Sequence, residues 1–276
     1  MTPDQRLAQI VHALQQAGID ILVMGGHAVR YYGIDRNTID FDLVTSVATA
    51  EELRSKLPEA FNSPNLREQG VWRANDFARF EIGRLPDGRQ ELLEFWLRNH
   101  LLGDFQTLNA RAEIGFYGGS EIPFLSLPDL LKSKETERET DWSDIALLEE
   151  IQDGRNFAAL QKDPRLVSVF VTNLRSRRGM DQAIDAGLPN DPALIRETIA
   201  ACTHPAAFAF WIALAPSTSS SIVIPMIEPT TLASLRSATF GTAKHFALIE
   251  ICRRAYKRRA IELDRADKQA KLSQGR

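Results

Sequence analysis

Alternation of apolar and polar residues predicts strands in the first half of the chain. After a helical pattern over residues 5–17, Ile21-Leu22-Val23-Met24 forms a short apolar run, as in a buried strand. Residues 77–85 and 90–97 alternate on either side of a Pro-Asp-Gly-Arg turn, which predicts a β-hairpin. A second hairpin is expected across Gly118-Gly119. Together these patterns predict a sheet with helices packed against it.

The second half of the chain is predicted to be helical. From Asn156 onward helical spacing replaces alternation, over residues 166–174, 192–202, 206–215 and 231–263. The change in pattern follows Gly154 and places a domain boundary near residue 155. We therefore expect an α/β domain over residues 1–155, followed by an all-helical C-terminal domain over residues 156–276.

Composition describes an ordinary globular chain without a strong charge bias. Of 276 residues, 44% are apolar and 25% are charged, and the formal net charge is −3. The whole chain therefore carries no electrostatic signature for nucleic acid. Cys202 and Cys252 show no metal or redox spacing, which favours a reducing compartment. The start of the sequence lacks a signal-peptide layout, and the apolar run over residues 206–215 is about half the roughly 20 residues that span a bilayer. A cytoplasmic protein without a membrane partner is predicted.

Two aspartates that follow a double glycine are the most informative feature of the sequence. Gly25-Gly26 comes after the first predicted strand and is expected to turn the chain into a short helix. Apolar and acidic residues then alternate from Ile39 to Leu43, so a strand there places Asp40 and Asp42 on one face. Two like charges side by side repel each other. Mg²⁺ is the expected partner because it prefers carboxylate oxygens together with substrate phosphates.

Gly25-Gly26 and the segment Arg36-Asn37-Thr38-Ile39-Asp40-Phe41-Asp42 resemble the signature of the polymerase-β-like nucleotidyltransferase superfamily, in which a Gly-Gly or Gly-Ser turn precedes an Asp-x-Asp strand. The segment is similar to the Arg-x-Thr-x-Asp-x-Asp form of small bacterial members, including relatives of toxin–antitoxin nucleotidyltransferases. Leu93-Glu94-Phe95-Trp96 is similar to the strand that carries a third carboxylate in such proteins. Residues 127–134 and 138–144 resemble, in part, a lysine-bearing helix and the Arg-x-Lys-Asp-x-x-Asp segment that follows it.

The resemblance covers residues 18–150 and implies an α/β (α+β) nucleotidyltransferase fold, a mixed sheet flanked by helices. It implies Mg²⁺-dependent transfer of a nucleoside monophosphate from a nucleoside triphosphate to an acceptor hydroxyl of an RNA, a protein or a small molecule. In such a reaction, two divalent ions held by three carboxylates stabilise the attacking and the leaving oxygens. The implied catalytic and metal-binding residues are Asp40, Asp42 and Glu94. The implied nucleotide-binding residues are Gly25, Gly26, Arg36 and Lys134.

Three of these assignments stay open between neighbouring residues. Glu91 is an alternative to Glu94 as the third carboxylate, although it is expected on the opposite side of the strand. Lys132 competes with Lys134, because residues two apart on a helix do not face the same site. Arg36 either contacts phosphate or pairs with a neighbouring aspartate.

The C-terminal stretch and the function also allow alternatives. From Glu250 onward nine basic residues stand against four acidic ones. Such a run is either the solvated face of a long helix or the electrostatic footprint of a nucleic-acid acceptor. The chain as a whole is also consistent with a catalytically weak nucleotidyltransferase-like binding module of a toxin–antitoxin type pair. A phosphate-binding or nucleotide-binding protein without transfer chemistry is a third interpretation.

Overall fold

The computed structural model describes residues 1–61, 66–72, 76–85, 87–202, 204, 206–207, 210–211, 230 and 242–274. The chain divides into two compact units, Met1–Thr136 with Asp264–Arg276, and Glu137–Leu263. This division differs from the boundary predicted near residue 155, which lies inside a long helix, Glu139–Lys162. The helix continues through Gly154, because a glycine weakens a helix by only about 1 kcal/mol relative to alanine and packing can offset that loss.

Seven strands in the described part of the chain form one mixed sheet in the order β3-β4-β5-β2-β1-β7-β6. They are β1 (Ile21–Val23), β2 (Phe41–Thr45), β3 (Arg67–Trp72), β4 (Phe77–Arg84), β5 (Gln90–Trp96), β6 (Glu113–Tyr117) and β7 (Ser120–Phe124). The pairs β1–β7 and β2–β5 are parallel, and the other neighbours are antiparallel. The predicted mixed sheet is confirmed.

Strand β1 connects the two sides of the sheet. It runs antiparallel to β2 on one side and parallel to β7 on the other, where Val23 lies opposite Phe124. All three residues of β1 are buried, as expected from an apolar run with no polar alternation. This short strand leads directly into the double glycine, so it positions the turn that follows.

Strand β2 begins two residues later than the sequence pattern predicts. The expected strand was 39–43, whereas β2 starts at Phe41. Asp42 lies within the strand, and Asp40 occupies a bend immediately before it. The two aspartates therefore have different backbone surroundings.

The predicted hairpin of β4 and β5 contains an irregularity that decides which side chains meet. The register shifts between Glu81 and Gly83. Beyond the shift, Arg79 lies opposite Glu94. A bulge of this kind adds one residue to one strand and leaves the partner strand regular. Strand β3, which was not predicted, pairs with the outer side of β4.

Helices flank the sheet of the first unit, as predicted. They are α1 (Pro3–Gln16), α2 (Gly25–Tyr31), α3 (Ala50–Ala60), α4 (Phe105–Asn109) and α5 (Leu127–Ser133). Helix α1 contacts β1, β6 and β7 and buries Leu7, Ile10 and Leu14. Ser126 caps α5, because its hydroxyl accepts a hydrogen bond from the backbone N–H of Asp129.

The described part of the second unit is built from helices, as predicted. They are α6 (Glu139–Lys162), α7 (Val167–Asn173), α8 (Arg177–Asp185), α9 (Pro192–Ala201) and α10 (Thr242–Gln274), of which the residues from Asp264 onward belong to the first unit. Asp191 caps α9, because its carboxylate accepts hydrogen bonds from two backbone N–H groups. The core of this unit includes Phe170, Trp211 and Cys252.

Two predicted helices fall partly outside the described residues. They are 206–215 and 231–263, of which residues 208–209, 212–215 and 231–241 are not described. Helix α8 was not predicted. Among the described residues, no helix combines the length and the apolar character needed to cross a membrane.

Candidate functional site

Gly25 brings the main chain directly against the Asp42 carboxylate. It opens α2 with a φ of +62°, in the left-handed region that favours glycine. A Cβ atom at this position would overlap Oδ2 of Asp42. The backbone N–H of Met24 also donates to the Asp42 carbonyl at 2.9 Å. Glycine is therefore required at position 25 both by the backbone conformation and by the carboxylate beside it.

Gly26 is required for a different reason. Its φ is not in the left-handed region, but a Cβ atom there would overlap Oγ1 of Thr38. The Thr38 hydroxyl donates to the carbonyl of Asp40 at 3.5 Å. The double glycine therefore accommodates two side chains of the segment 36–42. This packing explains physically why the glycine pair and the Arg-x-Thr-x-Asp-x-Asp segment occur together.

Asp42 and Glu94 lie directly opposite each other on the parallel strands β2 and β5. Side chains in register on neighbouring strands point to the same face of a sheet, so the two carboxylates are neighbours. Asp42 is half-buried and Glu94 is 9% exposed. Like charges directly opposite each other destabilise a sheet. This position therefore favours a cation.

Arg79 supplies one such cation. Its Nε donates to Oε1 of Glu94 at 2.7 Å, and its Nη2 lies 2.5 Å from the same oxygen. Because Arg79 is opposite Glu94 on β4, the side chains of Asp42, Glu94 and Arg79 form a row across three adjacent strands. We call this set the carboxylate–arginine row. Arg79 was not predicted as a site residue.

Glu91, the alternative third carboxylate, is engaged elsewhere. Its two oxygens accept hydrogen bonds from Nε and Nη2 of Arg6 in α1, at 2.9 and 2.7 Å. Residues 91 and 94 are three apart on β5, so their side chains point to opposite faces. Of the two glutamates, Glu94 is the one whose register places it beside Asp42.

Arg30 holds the loop that leads to Asp40. Its Nη1 donates to the carbonyl of Arg36 at 3.2 Å, while its Nε and Nη2 donate to the Asp4 carboxylate. The Tyr117 hydroxyl donates to the same carboxylate at 2.6 Å. Burial raises the pKa of Asp4, but the hydrogen bonds from Tyr117 and Arg30 outweigh it, so the pKa is lowered. This network anchors the backbone at Arg36, four residues before Asp40, which is itself exposed.

His27, the residue after the glycines, is a buried neutral ring. Its side chain is 1% exposed and stacks on Phe41 with the ring centroids 5.2 Å apart. Its Nδ1 lies 3.3 Å from the Tyr117 hydroxyl, and its Nε2 has no hydrogen-bond partner among the described residues. Burial lowers the pKa of His27 to about 4. The ring is therefore neutral at neutral pH and supports the glycine turn by packing.

The two candidate lysines differ in their surroundings. Lys134 is the C-terminal cap residue of α5 and is buried, whereas Lys132 is half-exposed and forms an ion pair with Glu135. Helix α5 contacts α2. Lys134 thus lies at the end of a helix that adjoins the glycine turn.

Five basic residues of the C-terminal stretch lie on α10 and take part in ion pairs. Arg253, Lys257, Arg259, Lys268 and Lys271 pair with Glu149, Glu139, Glu262, Asp264 and Asp76, respectively. Pairing within the protein accounts for these charges without a nucleic-acid ligand. Contact of this helix with nucleic acid stays a prediction.

The described residues offer Mg²⁺ a small set of carboxylate ligands. Within the described ranges, no group of three or more His, Cys, Asp or Glu side chains is arranged to hold a metal ion. Mg²⁺ is commonly bound by one or two carboxylates, with substrate phosphates and water completing its shell. Asp40 and Asp42 fit this smaller ligand set, whereas Oε1 of Glu94 already accepts from Arg79.

A cavity of about 740 Å³ lies at the other end of β2. Its lining includes Thr45, His100 and Lys271 and none of the predicted site residues. Thr45 is three residues beyond Asp42, or about 10 Å along the strand at its usual rise per residue. The cavity and the predicted site are therefore separate places on the same strand.

Comparison with known proteins gives a remote structural likeness. No protein-family model and no curated protein matches the chain. Among solved structures, it is similar to the crystal structure of an antigenic nucleotidyltransferase-like protein from Paracoccidioides brasiliensis. The two are 22% identical over 61% of this chain and 93% of that chain, with a TM-score of 0.37. A likeness at this TM-score does not support a functional conclusion.

Proposed function

We propose that the protein is a Mg²⁺-dependent nucleotidyltransferase that moves a nucleoside monophosphate from a nucleoside triphosphate to an acceptor hydroxyl in the cytoplasm. The observation that carries this proposal is the position of Asp42. Its carboxylate lies in register with Glu94 on the next strand and against the backbone of Gly25. At this point of the sheet, the carboxylates of Asp42 and Glu94 are neighbours. The guanidinium of Arg79 lies beside Glu94, and the main chain of Gly25, which has no Cβ atom, lies beside Asp42.

Each part of this arrangement has a role in the proposed reaction. Asp42 and Asp40 would hold Mg²⁺ together with the phosphates of the substrate. When bound, the ion stabilises charge on the attacking and leaving oxygens. The backbone at Gly25-Gly26 receives the triphosphate, because glycine permits a close approach of phosphate to the main chain. Lys134 neutralises charge on the departing pyrophosphate.

The support for the loop belongs to the same proposal. Arg30 fixes the carbonyl of Arg36, and the stacked ring of His27 underlies the turn. Catalytic groups held within a fraction of an ångström of their working position react faster, since less freedom is lost in the transition state. The network around Arg30 therefore orients Asp40 relative to Asp42. The acceptor is proposed to be an RNA, a protein side chain or a small molecule with a free hydroxyl.

Transfer of an α-phosphorus label tests the proposal. The purified protein is incubated with Mg²⁺ and each nucleoside triphosphate labelled at the α-phosphorus, with total tRNA, with cell extract, or alone. We expect one class of acceptor to become labelled, and Asp42→Asn to remove the labelling. Glu121→Gln, which removes the same charge from an exposed position on β7, is the matched control and should label normally.

Four outcomes would count against this function. Absence of label in every acceptor would contradict it, as would an Asp42→Asn variant that labels like the wild type. Transfer of a γ-phosphorus label instead would indicate a phosphoryl transferase. Binding of nucleotide without any transfer would favour the binding-module interpretation.

A further inference from the structure

We propose that Arg79 replaces one of the two divalent ions expected beside three carboxylates, so that the nucleotide-bound site holds a single ion at Asp42. This inference rests on the proposed function and specifies its metal requirement. It concerns the carboxylate–arginine row of Asp42, Glu94 and Arg79. Nothing in the sequence motif itself points to the arginine.

The register across three strands carries the argument. Asp42 is opposite Glu94, and Glu94 is opposite Arg79. Directly opposite side chains share a face, so the row reads carboxylate, carboxylate, guanidinium across the sheet. The guanidinium of Arg79 is thus at one end of the row, Glu94 is in the middle, and Asp42 is at the other end.

The contact between Arg79 and Glu94 is specific. Two nitrogens of the guanidinium approach the same oxygen, Oε1, at 2.7 and 2.5 Å. The Glu94 side chain is 12% exposed and that of Arg79 is 35% exposed. The guanidinium also lies over the Phe77 ring, 5.6 Å from its centroid, an arrangement that favours a cation. Two neighbouring groups therefore hold Arg79 in place.

A guanidinium in this position disfavours a second divalent ion. Arginine stays protonated in proteins, so its charge is permanent. An ion bound through Oε1 of Glu94 would have to displace two N–H donors, and an ion bound through either oxygen would lie close to a like charge. An ion at Asp42 is one strand further away and keeps the substrate phosphates as ligands. The geometry thus divides the site into an arginine position and a metal position.

Counting bound Mn²⁺ tests this division without reference to activity. The probe is Mn²⁺ with a saturating α,β-methylene nucleoside triphosphate, which is not cleaved at the α-phosphorus. Bound Mn²⁺ per chain is measured by electron paramagnetic resonance after equilibrium dialysis, and spin coupling reveals whether two ions are adjacent. We expect one ion in the wild type and two coupled ions in Arg79→Met. Arg84→Met, on the same strand but paired with Glu81, is the matched control and should bind one.

A second variant keeps the test decisive if Arg79→Met does not fold. Glu94→Gln should still bind one ion, because Glu94 is bonded to arginine in this proposal. In a site where three carboxylates hold two ions, the same variant would lose an ion.

The outcomes separate this inference from the proposed function. Two ions in the wild type, or one ion in a folded Arg79→Met, would overturn the role of Arg79 and leave the nucleotidyltransferase proposal standing. No bound ion in the wild type with nucleotide present would overturn both. Loss of the ion in Asp42→Asn, with Glu121→Gln unchanged, would place the remaining ion at Asp42.

Discussion

Carboxylates in the two units have opposite surroundings. Asp153, on α6, is fully buried and accepts hydrogen bonds from the N–H groups of Arg175 and Ser176 and from the Ser176 hydroxyl. Asp42 lies half-buried on a strand, directly opposite a second carboxylate, Glu94. The first satisfies backbone donors at the start of α8, whereas the second is in register with Glu94, which accepts from Arg79. A buried carboxylate bonded to main-chain N–H groups is typical of structure, and two carboxylates in register beside an arginine are typical of a cation site.

Close packing alone does not distinguish the two carboxylates. A glycine lies against each, Gly25 against Asp42 and Gly179 against Asp153, and a Cβ atom on either glycine would overlap a carboxylate oxygen. The two carboxylates differ in the other groups that surround their oxygens. Substitutions in the two units should therefore separate loss of activity from loss of stability.

The largest effect is expected for Asp42→Asn. Loss of one metal-binding charge should lower α-phosphorus transfer by about 10³-fold or more, since a single charge-stabilising group contributes about 10²–10³-fold in comparable sites. The free energy of unfolding should change little, because Asp42 is half-buried and asparagine keeps one oxygen in place of the carboxylate. Initial rates of label transfer and urea unfolding give the two values. A large loss of stability would show that Asp42 resembles Asp153 after all.

Asp153→Ala should have the converse effect. Two backbone N–H groups and a hydroxyl would lose their acceptor in the interior, which we expect to lower the free energy of unfolding by about 3 kcal/mol. Label transfer per folded molecule should not change. Urea unfolding followed by circular dichroism measures the loss, and Asp153→Asn, which keeps one acceptor oxygen, should lose less. A stable variant would contradict the structural role.

His27 is a buried ionisable group beside the proposed site, and its shifted pKa predicts how the free energy of unfolding depends on pH. Its pKa falls from 6.5 to about 4 on burial, so the unfolded chain takes up a proton before the folded protein does. The stability is therefore complete above about pH 6.5 and is lost as the pH falls towards 4, by about 3 kcal/mol at about 1.4 kcal/mol per pH unit. His27→Leu should remove this component. Urea unfolding at several pH values gives the free energy of unfolding of the wild type and of His27→Leu. The same pH dependence in both would contradict the assignment to His27.

The two glycines provide a matched pair with smaller effects. Gly25→Ala and Gly179→Ala should each lower the free energy of unfolding by about 2 kcal/mol, the usual range for overpacking. Only Gly25→Ala should also reduce label transfer per folded molecule, because it displaces Asp42. Urea unfolding and transfer rates measured on both variants make the comparison. Equal label transfer by the two glycine variants would contradict the difference in role between Asp42 and Asp153.

The smallest effect is expected at an exposed ion pair of the second unit. Arg165 and Asp163 form a surface pair in which two guanidinium nitrogens approach the carboxylate. Arg165→Gln should leave the thermal midpoint unchanged, because solvent screens such pairs. A clear drop in the midpoint would mean that exposed pairs also stabilise this fold.

Much of the sheet unit can be predicted from local pattern. The run from Ile21 to Met24, the double glycine and the alternation around Asp42 all lie where β1, α2 and β2 form. The caps Ser126 and Asp191 carry a signal of the same local kind, since a short polar side chain shortly before a proline marks a helix start. Each of these signals spans only a few residues, so it can be detected in a single sequence without an alignment.

Other parts depend on contacts that are distant in sequence. Strand β3 contains charged residues and a glycine and has no clear alternation, and its pairing with β4 makes it a strand. Helix α6 passes through Gly154 because packing overrides local preference. Such elements cannot be predicted from periodicity alone.

Arg79 was missed because a single inserted residue decides its partner. Near the turn, Arg84 pairs with Gln90, and continued counting would place Phe80 opposite Glu94. Ile82 is the extra residue in the bulge, and it moves Arg79 into that position. The alternation of β4 and β5 gives no sign of where the bulge lies. The candidate site was therefore predictable in its aspartates and glycines but not in its arginine.

The three-residue strand β1 also has a consequence for the order of folding. The meander of β3, β4 and β5 and the hairpin of β6 and β7 join segments that are adjacent in the chain, so little loop-closure entropy opposes them. The pairing of Val23 with Phe124 joins segments about one hundred residues apart, and contacts of such separation form slowly. We therefore expect β1 to join β7 late in folding, after the meander, the hairpin and the contacts of the glycine turn with Thr38 and Asp42, which are close to it in sequence.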